Sequence, residues 1–240
     1  MTFAPVFHSE WIKIHTLRSQ IAALALILAV TVLFSAIAAS DTGGDGFDPL
    51  FAVFFGVAFG QIAAIAFGTT AVSSEYQGGA LRLSLAAVPH RGRWFAAKTA
   101  AIAVPVFAVG LVTGVVTLLV GKAVLGTEAD GLGAGEQVRG VVGCAVYLTL
   151  MALLAAGLTA VLRGGVATLS ILIPFLLIVS FVVGDASSDI ADLLPDRAGQ
   201  VALHETWDGS MGPWTGLAVT AAWAAAALAA GAWSVRRRDA

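Results

Sequence analysis

Residues 140–165 read GVVGCAVYLTLMALLAAGLTAVLRGG. From Gly140 to Leu162 there is no Asp, Glu, Lys, Arg or His. A run of that length matches a hydrocarbon layer of ~30 Å. Without water to bond, the backbone there must satisfy itself, which favours a helix. Arg163-Gly164-Gly165 then interrupts the run, and a second apolar stretch begins at Val166. So short a connection allows only a tight reversal, so two antiparallel membrane helices are expected side by side.

The same reading extends outward in both directions. Apolar stretches at about 20–39, 49–73, 97–121, 139–162, 166–184 and 213–234 predict six spans. Of the 240 residues, 58% are hydrophobic and 12% charged, with a mean hydropathy of +0.90. Water-soluble domains carry about 25% charged residues, so this chain cannot coat a water-facing surface. The expected fold is all-α and polytopic, a single transmembrane domain over residues 1–240.

Basic residues orient the spans. With both termini in the cytoplasm, ten fall inside: Lys13, Arg18, Arg82, Arg91, Arg93, Lys98, Arg163 and Arg236–Arg238. Three fall outside, Lys122, Arg139 and Arg197. The positive-inside rule selects this arrangement. Three acids lie inside and twelve outside. A signal-peptide reading of Lys13, Arg18 and Ala36-Ile37-Ala38 competes, but the Ile21–Ala39 run exceeds a typical signal core.

Ahead of the first span, residues 1–19 form an expected interfacial helix. Phe3, Phe7, Trp11 and Ile14 share one face, and Ser9, Lys13, Thr16 and Gln20 another. It is either an elbow that touches a cytoplasmic partner or a passive anchor. Lys98, Arg139 and Arg163 stand at span ends, where they can reach the interface.

Several function classes lack their residues. No ionisable side chain sits near the middle of a span, which argues against an ion-coupled carrier. His204-Glu205 is followed by Asp208 where a zinc hydrolase needs its second His. Ser210 lacks the G-x-S-x-G frame, since Met211 follows it. Gly121-Lys122 is no phosphate-binding loop, because Val116 and Ala123 replace the required Gly and Ser/Thr. The single cysteine, Cys144, can neither close a disulfide within the chain nor join a cysteine metal cluster. No metal, cofactor or catalytic set is expected on this chain, and no nucleic-acid partner.

Against that background, residues 74–96 stand out as the largest internal cytoplasmic loop. Gly78-Gly79 allow a sharp reversal. Leu81, Leu85 and Val88 recur at i, i+4 and i+7, giving a short helix with an apolar edge towards the cytosol. Pro89 stops it; Arg91, Arg93 and Lys98 follow at headgroup level with Trp94 as an interface anchor. Glu75 and Arg82 offer charges that set the register of a docked protein. The bland alternative is a helix resting on lipid.

Glu75-Tyr76-Gln77-Gly78-Gly79-Ala80-Leu81-Arg82, then Leu85 and Pro89-His90-Arg91, resembles the E-[YF]-x-x-G-T-x-R…L…P-x-R signature of ABC-2 type permeases of bacterial exporters. Ala80 departs from the usual Thr or Ser, which removes a capping hydroxyl. The resemblance covers nearly the whole chain: the N-terminal helix with Glu10 and Lys13, six spans, the short 163–165 turn, and Leu194-Pro195-Asp196 before the last span. The alanine- and glycine-rich style looks actinobacterial.

What the resemblance implies is a coupling loop. Glu75, Tyr76, Gly79, Leu81, Arg82, Leu85, Pro89 and Arg91 would dock on a separate ABC ATP-binding subunit, present in two copies and holding ATP and Mg. A second permease chain, identical or homologous, would complete the unit in a bacterial cytoplasmic membrane. Spans 2 and 5 would flank the cargo path, with Gln61, Ser170, Pro174 and Ser180 as its polar or kinking candidates. For Gln61 an interhelical hydrogen bond is the competing reading. For Gly56, Gly60, Ala64 and Gly68, and for Gly110 and Gly114, close helix packing competes with a path or dimer role. An apolar path would suit an amphipathic or hydrophobic cargo: a lipid, a peptide or a drug-like metabolite. The acidic 185–212 segment would hold a re-entrant or surface helical element near the exit, against a plain solvated loop. A membrane anchor or sensor accessory and an ion-coupled transporter are the rival functions.

Overall fold

The computed structural model describes residues 3–41, 47–88, 90–179, 192–207 and 211–237. All of its regular structure is helical among those residues. The elements are α1 (Phe3–Thr16), α2 (Arg18–Ala39), α3 (Pro49–Phe54), α4 (Val57–Ser73), α5 (Ala80–Ala87), α6 (Arg91–Leu125) and α7 (Ala134–Leu162). They continue with α8 (Gly165–Pro174), α9 (Pro195–Gln200) and α10 (Pro213–Arg237).

Five helical stretches are long and apolar enough to cross a membrane: Arg18–Ala39, Pro49–Tyr76, Arg91–Ala129, Ala134–Leu162 and Pro213–Arg237. A sixth apolar helix, Gly165–Ile178, is shorter. It holds the first part of the expected 166–184 span; the rest, with Ser180, lies outside the described residues. α2 leaves Ile21, Leu26, Leu33 and Ile37 exposed, and α6 exposes Phe107, Val112, Val115 and Leu119. In water so large an apolar surface would drive aggregation; against lipid it is the ordinary exterior. The chain is therefore a multi-pass helical membrane protein.

The second stretch is not one continuous helix. It breaks at Phe55-Gly56, where the Gly56 N–H donates to the Ser35 hydroxyl at 2.9 Å. A side chain from α2 thus satisfies the backbone group at the break. α6 is longer than the expected 97–121. Its 35 residues span about 52 Å, well beyond the hydrocarbon layer. Its first two turns precede the expected span and are packed against other parts of the chain, with Trp94 and Lys98 buried.

α7 is the centre of the bundle, with α4, α6 and α10 packed along it. A Cβ on Gly68 would overlap the Ala152 carbonyl, and one on Gly157 would press on the Ala227 backbone at 2.5 Å. Gly110 meets Ala145 and Gly114 meets Val141 in the same way. Gly56 and Gly60 lie against Thr31 and Ser35 of α2. These small residues let helices of one chain approach backbone to backbone, so their packing within the chain is directly visible.

The bundle has a basic end and an opposite end. α1, residues 73–88 and 90–98, the 163–165 turn and the end of α10 gather at the first. Arg163 turns the chain there with φ 56°, a left-handed conformation at the C-cap of α7. α3, residues 121–140 and α9 gather at the second. Trp214 and Trp233, both exposed, mark the two ends of α10.

The described part of the 185–212 segment is no solvated loop. In α9 and the 3₁₀ turn Val201–Leu203, Asp196, Ala198, Val201, Ala202 and Leu203 are buried. Thr220 donates to the Pro195 carbonyl at 2.8 Å, and the Trp223 indole N–H to that of Leu193 at 2.9 Å. Gly199 sits so close to the Tyr147 ring that no side chain would fit.

Candidate functional site

α1 turns Val6, Glu10 and Ile14 inward, a stripe at i, i+4 and i+8 with an acid at its centre. Its aromatic residues do not lead the buried face. Phe3, Phe7 and Trp11 stack along one side with His15 tilted against Trp11, and Phe3 is exposed. The 3₁₀ turn Ser74–Tyr76 carries Glu75 inward from the end of α4. Gly78 and Gly79 follow at φ 60° and 78°. Nothing would meet a Cβ at either position, so the left-handed backbone, and not space, calls for glycine there.

α5 then presents Leu81, Ser84 and Val88 to the interior; Leu81 and Val88 are buried and Leu85 partly so. This corrects the expected cytosol-facing apolar edge: those residues pack on their own chain. The outward face holds Arg82, Leu83, Ala86 and Ala87, and Leu83 is 75% exposed.

The inward groups converge on four charges. The Lys98 ammonium lies 2.7 Å from Glu75 Oε1 and contacts Glu10 Oε2. Lys13 Nζ stands 2.9 Å from Glu10 Oε1 and 2.9 Å from Glu75 Oε1. It also donates to Ser84 Oγ at 3.3 Å, and Ser84 donates to Glu75 Oε2 at 3.0 Å. Two cations thus alternate with two anions, and the cluster is neutral as a whole. Glu10, Glu75 and Lys98 are each at most 3% exposed, while the Lys13 side chain keeps 39%. Burial pulls the Lys13 pKa down, but hydrogen bonds to Glu75 and Glu10 outweigh it and hold the group above its usual value.

Two expectations change here. Lys98 does not reach up to the interface, because two carboxylates hold it inside. Trp94, expected as an interface anchor, is 1% exposed. The cause is α1, which packs along α6 and covers the turn that would otherwise meet lipid headgroups.

Glu75, Tyr76, Gly79, Leu81 and Arg82 line one cavity of about 450 Å³ together with Arg163. The Arg163 guanidinium lies 5.8 Å from the Tyr76 ring centroid, and the Tyr76 hydroxyl donates to the Ala160 carbonyl at 3.4 Å. Arg91 points elsewhere and donates to the Val235 carbonyl at 3.0 Å, tying the start of α6 to the end of α10. Pro89 lies outside the described residues. Five of the eight loop positions therefore surround a common space.

The proposed path residues do not converge in this way. Gln61 is buried at 3% exposure in a neutral network. The Tyr147 hydroxyl donates to Gln61 Oε1, Gln200 Nε2 donates to the Tyr147 oxygen at 3.2 Å, and Gln61 Nε2 donates to the Ala58 carbonyl at 2.9 Å. The interhelical hydrogen bond is thus present. Ser170 and Pro174 are exposed on α8, away from that network.

Further contacts were not anticipated from the sequence. Asp48 caps α3 by accepting from the Phe51 N–H at 2.9 Å. It also accepts from the Glu205 N–H at 3.0 Å and meets His204 Nδ1 at 3.1 Å. Burial opposes its charge, but the bonds from His204 and the backbone amides hold its pKa below the usual value. Arg139 donates to the His204 carbonyl at 2.6 Å. Tyr147 carried a readable signal, because a phenol in an apolar run needs a partner. Ser84 carried none. Among the described residues no group of three or more His, Cys, Asp or Glu could hold a metal ion.

No family model matches the chain, and no curated protein matches it.

Proposed function

We propose that the chain is the membrane-spanning permease subunit of an ATP-driven ABC exporter of the ABC-2 type. The basic end faces the cytoplasm, where residues 75–91 dock on a separate ATPase subunit that holds ATP and Mg. Two ATPase copies and a second permease chain complete the unit, and an amphipathic or hydrophobic cargo moves outward.

The observation that carries this reading is the charge cluster behind α5. Through Ser84 and Glu75 the short helix is bonded to Lys98 of α6 and to Lys13 and Glu10 of α1. A push on α5 reaches the cluster through the Ser84 hydroxyl and the short turn that carries Glu75, and the cluster itself resists separation because that would strand buried charge. A displacement passed to that cluster moves the ends of α1, α4 and α6 together. A lipid-resting helix would need no such anchorage. The outward face, with Leu83 beside Arg82, supplies an apolar knob and a charge for a protein groove. Glu75 belongs to the anchorage, so Arg82 and Leu83 are the cleaner probes of docking.

The test is a gentle-detergent pull-down of the tagged chain from native membranes, with mass spectrometry of what accompanies it. A stoichiometric partner carrying G-x-x-x-x-G-K-[ST], lost in an R82E/L83D variant that still inserts at normal abundance, is the expected result. A chain that purifies alone would overturn the permease reading in favour of an autonomous membrane anchor or carrier.

A further inference from the structure

We propose that a cavity between α7, α8, α9 and α10 seats the acyl chain of a bilayer phospholipid. The cavity holds about 260 Å³. Leu154 and Leu158 of α7 form its floor; Leu172 of α8, Phe175 just after it, Pro195 of α9 and Trp223 of α10 form its walls. Among the described residues every side chain lining it is apolar, and the polar atom they bring, the Trp223 N–H, is already bonded to the Leu193 carbonyl. Among those residues water has nothing to bind.

Size decides among the apolar occupants. An apolar cavity of about 150 Å³ already admits benzene. Pockets for whole drug-sized ligands begin at about 300 Å³. A space between these limits fits a single flexible alkyl chain. Position decides the source. Ile171 and Trp223 at the rim are 54% and 43% exposed; Trp223 lies on a helix long and apolar enough to cross a membrane, Ile171 on the shorter apolar helix, and both helices carry other exposed apolar residues. The cavity is continuous with the surface that meets lipid, so the nearest alkyl chains are those of the bilayer.

α8 supplies the shape. Its regular turns end at Pro174, and Phe175–Val179 continue as a wider π-turn. Pro174 cannot donate a backbone hydrogen bond, which favours this widening. The widened turn carries Phe175 to the cavity wall. This inference uses only the membrane-spanning architecture, and it stands independently of the permease reading.

Leu154 provides the diagnostic position, because at 5% exposure it is beyond the reach of lipid packed on the outside. The full chain is reconstituted in phosphatidylethanolamine–phosphatidylglycerol vesicles. These are doped with a phospholipid bearing a diazirine near the end of one acyl chain, and crosslinked peptides are mapped after photolysis. Labelling at Leu154 or Leu158 is expected, with a severalfold loss in A226F, which plugs the mouth from an exposed position. I171W, a second plug on the opposite rim, should act likewise. Labelling of the α2 face at Leu26 and Leu33 should stay unchanged, which shows that each variant is folded and embedded. No label at Leu154 or Leu158, or label that neither plug reduces, would overturn the proposal.

Discussion

At the basic end, Glu10, Glu75 and Lys98 leave solvent as full charges; towards the opposite end, Gln61, Tyr147 and Gln200 form a neutral polar network, with Gln61 just as deeply buried. Each cluster joins separate parts of the chain. Their chemistry sets how they fail. Attraction between opposite buried charges must offset a large desolvation cost, so losing one partner leaves the other exposed to that cost in full. A neutral amide or phenol that loses a partner forfeits a hydrogen bond and its own desolvation cost, which is smaller than that of an ion. The charged cluster therefore behaves as one unit, suited to a joint that must move whole. The neutral network sits further inside the spans, where an ion would be most costly.

The comparison can be broken most directly at Lys98. Lys98→Met should destabilise the protein by about 3–5 kcal/mol, because two buried glutamates would share the half-exposed Lys13. Adding Glu10→Gln should restore part of that loss, since one unpaired charge is removed. Thermal unfolding in detergent of the three proteins measures both. Equal stability of Lys98→Met and the parent would mean that the cluster is not a unit.

A smaller effect is expected at Tyr147. Tyr147→Phe keeps the ring against Gly199 and removes only the hydroxyl between Gln61 and Gln200, so the loss should be about 1 kcal/mol. A cost matching that of Lys98→Met would erase the distinction between the two clusters.

The smallest effect sharpens the comparison through pH. The Asp48 pKa is depressed in the folded protein, below the ordinary value of 3.8. Its contribution is therefore fully present above that value and lost as pH falls through the folded pKa. Melting temperature should decline below about pH 4 in the parent and decline less steeply in Asp48→Asn. At neutral pH the variant should lose about 1 kcal/mol or less, as a weakened N-cap. Parallel acid profiles would show that Asp48 does not contribute to acid sensitivity.

Different features were legible to different degrees. The apolar runs announced the spans because lipid imposes a length and excludes charge. Gly78-Gly79 announced the turn because only glycine adopts that backbone at little cost. Lys98 and Trp94 look interfacial from their sequence neighbours, while the element that covers them, α1, ends at Thr16, far earlier in the chain. Leu81, Leu85 and Val88 were read with the right spacing and the wrong facing. Periodicity shows that a helix has an apolar edge and says nothing about what that edge meets. Gln61 reads as a side chain in need of a partner, but its partner Tyr147, and Gln200 bonded behind that phenol, are chosen only by the packing of α4, α7 and α9.

Composition, run length and charge distribution by themselves determined that this chain is helical, crosses a membrane several times, and segregates its basic residues to one end. Those properties follow from exchange between residue and solvent, one segment at a time. Only the tertiary structure decided that Glu10, Lys13, Glu75 and Lys98 form one neutral cluster. It alone showed that α9 is buried and that an apolar cavity opens beside α8. Ion pairing and cavities depend on which helices meet and at what rotation, and side-chain complementarity between distant segments sets that.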